Sequence, residues 1–173
     1  MTTDLTLYFG PNNDPGDTSG TRHWQYPHAP DFHNPAFTIN STVDPITNIV
    51  ALDIDFAIRS RDTVNSHTMD NVRLYVAACG ILNTVDDVNA LVNLVVSLGA
   101  AHEWPDLFGQ SMDVPKHNAV SDAYWSPPNA PYHWVVPAYA PGFIVIATLT
   151  CTALGQSPQS DYASDPSVGI WLG

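Results

Sequence analysis

Lysine is all but missing from this chain. Lys116 stands beside four arginines, giving five basic against seventeen acidic side chains and a net charge of −12. Nucleic-acid backbones are held by clustered Lys and Arg, so charge excludes a nucleic-acid partner. Attraction to an anionic lipid surface fails for the same reason. Glutamate is equally scarce, with Glu103 alone among sixteen aspartates. Glu and Lys are the ordinary surface residues of helices, and their scarcity argues against a helical protein. Long hydrophobic runs are absent too: no stretch of roughly eighteen apolar residues occurs, so no membrane insertion is expected. Residues 1–10 lack both a basic start and an apolar run, so no Sec-type signal peptide is expected. That leaves a cytoplasmic protein, an extracellular protein exported by another route, or a chain trimmed of its leader. Cysteine is limited to Cys79 and Cys151, each in an apolar run where a thiol behaves as a small hydrophobe, and their pairing stays open.

Catalytic signatures are also missing. The chain has no G-x-S-x-G elbow, no Gly-rich phosphate loop and no dinucleotide fingerprint. Neither cysteine falls at a helix start, where a thiolate is favoured. With one Glu, a paired-carboxylate site has to use aspartates, and none stands apart from turn positions. A non-enzymatic protein without a resident cofactor is expected.

What remains is rich in turn formers. Sixteen Asp, fifteen Pro and ten Gly punctuate a chain that is 45% hydrophobic, an all-β composition with long loops. At 173 residues it suits one domain, 1–173, with a sizeable core. Alternation is cleanest over 48–58, where Val50, Leu52, Ile54, Phe56 and Ile58 share one face opposite Asp53, Asp55 and Ala57. Arg59-Ser60-Arg61-Asp62 then reads as a polar connection. A second strand, 71–79, turns Val72, Leu74, Val76 and Ala78 inward and Arg73 and Tyr75 outward. Over 143–152, Phe143, Val145, Ala147, Leu149 and Cys151 fall on one face, while Ile144 and Ile146 make the other apolar at its start. This strand is expected to lie centrally, covered on both sides. A closing strand, 167–172, points Val168, Ile170 and Leu172 inward. A loop or edge segment is expected over 102–109, a short strand over 111–114, and weak alternation marks 132–136.

The segment 84–98 departs from period two. Thr84 and Asp87 form a capping-box pair, Val85, Val88, Leu91, Val92 and Val95 recur at helical steps, and Gly99 is a terminator. A short helical insertion is expected, packed over an open end or edge, with a strand as the competing reading. Several short strands without βαβ alternation indicate an all-β, two-sheet antiparallel sandwich.

Four stretches carry a family resemblance: Asp4-Leu5-Thr6-Leu7-Tyr8 with its Asn/Asp/Pro/Gly loop; 48–59 with Asp70-Asn71-Val72-Arg73-Leu74-Tyr75; Tyr124-Trp125-Ser126-Pro127-Pro128; and 143–152 with 165–171. Together they resemble a bacterial immunoglobulin-like β-sandwich of the cell-adhesion-related (CARDB-like) group. The resemblance implies an immunoglobulin-like fold and an adhesion or recognition role without shared catalytic residues.

Three sets of residues are candidate sites. His23, His28 and His33, with Asp31, lie in one Pro-containing segment, where only a folded loop would gather the imidazoles on zinc or copper. His102, His117 or His133 are distant completions, and the competing reading is loop histidines bonded to backbone. Asp14 and Asp17, in Asn12-Asn13-Asp14-Pro15-Gly16-Asp17, present oxygens suited to calcium, against a reading as a solvated turn. Trp24, Tyr26, Trp104, Trp125, Tyr132 and Trp134 are candidate binding aromatics for a sugar ring or a protein interface, against a reading as packing under loops. The expected function is a non-catalytic binding, adhesion or assembly module that presents loops and a sheet edge to a protein partner or a glycan. Copies of itself count among the partners, because few lysines leave few charged guards on its edges. The alternatives are a metal-binding protein or metalloenzyme using 23–33 with zinc as the cofactor, calcium belonging to the 12–17 loop, and a carbohydrate-binding lectin.

Overall fold

The alternating run around Ile54 forms a strand as its pattern demands, then breaks at Ala57. The computed structural model describes residues 7–9, 37–60, 62, 64–82, 84–99, 102–104, 112–114, 125–136, 140–155 and 168–173. In chain order the elements are Leu7–Phe9 (β1), Phe37–Val43 (β2), Val50–Phe56 (β3), Ile58–Ser60 (β4), His67–Met69 (β5), Asn71–Cys79 (β6), Val85–Leu98 (α1), His102–Trp104 (β7), Met112–Val114 (β8), Tyr132–Val136 (β9), Gly142–Thr150 (β10) and Val168–Leu172 (β11).

Two antiparallel sheets make the body, one of order β11-β10-β6-β7 and one of order β2-β3-β9. Two ribbons, β1-β4 and β5-β8, accompany them. The fold is thus an all-β, two-sheet antiparallel sandwich, with one α-helix among the described residues. Strand β10 is central, registered on β6 from Gly142↔Cys79 to Thr150↔Asn71 and on β11 from Ile144↔Leu172 to Thr148↔Val168. Between the sheets lie Leu52, Ile54 and Phe56 from β3 and Val72, Leu74, Val76, Val145, Ala147 and Leu149 from β6 and β10. Each buried Val, Leu or Ile among them contributes about 2 kcal/mol relative to exposure.

Helix α1 starts where the capping box says it must. The Asp87 N–H donates to Thr84 Oγ1 and the Thr84 N–H donates to Asp87 Oδ2, both at 3.1 Å. Asp86 and Asp87 sit at the positive end of the helix dipole. It stops at Gly99, whose φ of 63° suits a left-handed cap. The helix does not close an open end or edge. It lies on the outer face of the four-stranded sheet, burying Val88, Val92 and Val95 against Tyr75, Ala77, Ile144, Ile146, Val168, Ile170 and Leu172. The second face of β10 is apolar and needs a cover, and α1 supplies it.

That third layer corrects several side-chain assignments. Tyr75, expected outward, is 3% exposed beneath the helix. Val168, Ile170 and Leu172 point at the helix, and Trp171 packs against the inter-sheet core instead. Ala78 shares the inner face of β6 but is exposed near the end of the strand. Arg59 and Ser60, expected in a polar connection, are buried in β4, paired with Tyr8 and Leu7. The run over 48–58 changes partners at Ala57, after which Ile58 exchanges two 2.9 Å backbone hydrogen bonds with Trp125. Strand β10 ends at Thr150 and leads into a 3-10 turn, Thr152–Leu154, closed by Gly155 at φ 66°.

Cys79 pairs with Gly142 at the start of β10 and Cys151 follows its last residue; both thiols are free. At about 3.4 Å per residue the thiols are roughly 30 Å apart. A disulfide needs Cα atoms about 5.5 Å apart, so the two cannot pair within one chain. Among the described residues no helix is long and apolar enough to cross a membrane.

Candidate binding surface

Strand β2 forms the outer edge of the three-stranded sheet. Phe37 and Ile39 face inward opposite Phe56 and Ile54, and Ser41 and Val43 continue that side; Thr38, Asn40 and Thr42 take the other. Every residue from 40 to 49 is exposed, so the β2–β3 hairpin stands clear of the body. Its turn is nonetheless held tightly. The Ile46 N–H donates to Asp44 Oδ1 at 2.8 Å, the Thr47 hydroxyl to Asp44 Oδ2 at 2.7 Å, and the Asn48 N–H to the Asp44 carbonyl at 2.8 Å. The Ile46 N–H first, then the Thr47 hydroxyl and N–H, hold the Asp44 carboxyl below the usual range. Asn48 adopts a left-handed φ of 58°, which its side chain tolerates better than most. Three apolar side chains stand out of the tip: Val43 is 58% exposed, Ile46 89% and Ile49 38%.

The hydrogen-bond phase of β2 follows from one contact. The Asp44 N–H donates to the Ile49 carbonyl at 2.9 Å, so Asp44 and Ile49 form a bonded pair. Bonded and non-bonded pairs alternate along an antiparallel ladder. Thr42, Asn40 and Thr38 therefore bond inward to Ala51, Asp53 and Asp55. Ile39, Ser41 and Val43 turn their N–H and C=O groups away from β3. Among the described residues no strand pairs with that side.

Sheet edges in native proteins are guarded by charge, proline, shortness or a bulge. Strand β7 has three residues and carries Glu103, ion-paired with Arg73 at 3.1 Å. Strand β9 follows Pro131 and carries His133, bonded to Asp53 at 2.9 Å. Strand β11 is largely buried. Strand β2 has none of these devices: seven residues, no charge, no proline, and an unbroken register with β3.

The candidate aromatics divide. Trp104 and Tyr132 come together at the opposite side of the sandwich, where β7 and β9 are the neighbouring edges; their ring centroids lie 5.8 Å apart. His102 adds an edge-on contact to Trp104 at 4.2 Å. Trp134 lies two residues along the same face of β9 as Tyr132, and all three large rings are half-buried against the core. The Tyr132 hydroxyl is buried without a partner among the described residues. Burial first, and the nearby Asp55 charge second, push its pKa up. Trp125 is different. It is 5% exposed, with its ring 6.4 Å from that of Phe56, and is a core anchor with no free face.

Trp24, Tyr26, His23, His28, His33, Asp31, Asp14, Asp17 and His117 lie outside the described residues. Of the distant histidines, His102 meets Trp104 edge-on and His133 bonds Asp53, and the two are not joined. Among the described residues no three His, Cys, Asp or Glu side chains gather where a metal ion could sit. The β2 edge itself went unmarked in the sequence. Its signal is the alternation of Phe37 and Ile39 in a β-branched run, cut short by Ser41 at the next inward position. Comparison of the chain with models of known protein families, with curated proteins and with solved structures finds no match.

Proposed function

We propose that this chain is a non-catalytic binding or assembly module that accepts an extended protein strand along β2. The observation behind this reading is the charge-free edge on which Ile39, Ser41 and Val43 turn their backbone groups outward. Strand addition to such an edge draws affinity from main-chain hydrogen bonds and specificity from alternate side chains. The exposed Val43, Ile46 and Ile49 offer an apolar contact at the end of the same hairpin. An immunoglobulin-like relationship to adhesion-related domains belongs to the same proposal.

Amide hydrogen exchange of dilute protein tests the edge. Rapid exchange at Ile39, Ser41 and Val43 is expected, with slow exchange at Asn40 and Thr42. Protection of all five in the dilute monomer means that the edge is already covered, and the reading fails. A second reading, glycan binding, is favoured by the half-buried Trp104, Tyr132 and Trp134, because such rings present flat apolar faces to sugars.

A further inference from the structure

We infer that the strand taken up by the β2 edge is the β2 of a second copy, paired antiparallel about a two-fold axis through Ser41. This rests on the strand-addition reading and names its partner. Only registers that set outward-turned residues opposite one another satisfy the main-chain groups, so odd-numbered positions of β2 must meet odd-numbered ones. Centring on Ser41 places Ile39 opposite Val43, Ser41 opposite Ser41 and Asn40 opposite Thr42. Apolar then meets apolar on one face and neutral polar meets neutral polar on the other, the matching that stabilises cross-strand neighbours. Centring on Asn40 instead sets Ile39 against Ser41 and draws in Phe37, which is 5% exposed in the core. The Ser41 register forms about six interchain hydrogen bonds and joins two three-stranded sheets into one.

Charge also favours a copy of the same strand. β2 has no charged side chain with which to select a basic or acidic partner, and Asp44, just beyond it, falls opposite Thr38 rather than another acid. The penalty for two chains of net charge −12 is therefore long-range, and salt screens it beyond about 8–10 Å. Association is expected to tighten as salt rises, the reverse of an interface held by ion pairs.

Sedimentation equilibrium of the intact chain across protein concentration, at low and at high sodium chloride, tests this. The expected result is a reversible monomer–dimer equilibrium with a smaller dissociation constant at high salt. Ser41→Pro removes a central outward N–H without touching the inward bonds of Asn40 and Thr42. Ser41→Lys, at an exposed position, sets like charges face to face across the axis. Each is expected to raise the dissociation constant at least tenfold while circular dichroism stays unchanged. A monomer at all concentrations and both salts, with Ile39, Ser41 and Val43 still exchanging rapidly, overturns the second copy and leaves strand addition by another chain. Protection of those amides in the dilute monomer removes both. A dimer indifferent to Ser41→Lys and Ser41→Pro uses another surface and overturns the inference as well.

Discussion

Truncating one valine tests whether α1 is a working layer of the core or a loosely attached insertion. Val92 has no exposed surface and packs in the cluster formed with Tyr75, Ala77, Ile144 and Ile146. Val92→Ala removes two methylene equivalents of buried surface, about 1.6 kcal/mol by transfer. The unfilled space between helix and sheet raises that to roughly 2–3 kcal/mol. Alanine is the better helix former by about 0.5 kcal/mol, which leaves a net loss near 2 kcal/mol. Leu94, on the same helix, is 45% exposed, and Leu94→Ala should cost less than about 1 kcal/mol. With a urea dependence near 2 kcal/mol per molar, Val92→Ala should lower the unfolding midpoint by about 1 M. A shift below about 0.25 M, or equal shifts for the two variants, would refute the docking of α1 on β6, β10 and β11.

Acid sensitivity should centre on Asp62. The N–H groups of Asn65 and Val64 and the ring of His67, 2.7 Å away, hold its carboxyl well below the ordinary value. A depressed folded-state pKa means that its stabilisation is complete above about pH 4 and is lost as pH falls through the folded pKa. Asp62→Asn should be less stable than the parent at pH 7, with the gap in urea midpoint narrowing below pH 4. A gap that widens on acidification would contradict the hydrogen bonding described. For the aromatic side of the molecule, a glycan-array signal lost in Trp104→Ala is expected if sugars bind there. Signals that survive the substitution would exclude that seam.

The fold was legible where its causes are local. Thr84 and Asp87 mark the helix start because the capping box is a contact within one turn. Leu52, Ile54 and Phe56, and Val145, Ala147 and Leu149, reveal strands because alternation is a property of neighbouring residues. What covers each face is not local. The parity of Tyr75 and of Val168, Ile170 and Leu172 was readable, yet that side became interior only through α1, placed there by tertiary packing. The same gap explains the aromatics. Nothing around Trp125 or Trp104 in the chain says that one is sealed against Phe56 while the other borders the edge beside Tyr132. The β2 edge was hardest to see, because an exposed strand end loses the inward apolar residues that make alternation visible.

Why a dimer and not a filament follows from the unequal edges. A heterologous contact, β2 on β9, would leave a fresh β2 edge after every addition and grow without limit. At β9, however, Pro131 removes an N–H before the strand, and His133, 62% exposed and bonded to Asp53, brings a polar pair onto the face beside the edge. Pairing β2 with β2 instead consumes both unguarded edges in one isologous contact and leaves β9 outermost at each side. Growth stops there. The expected ceiling in sedimentation is therefore the mass of two chains, even at the highest salt, where repulsion between like-charged subunits no longer limits association. Larger species under those conditions would mean that β9 also accepts a strand, and that its proline and histidine do not guard it.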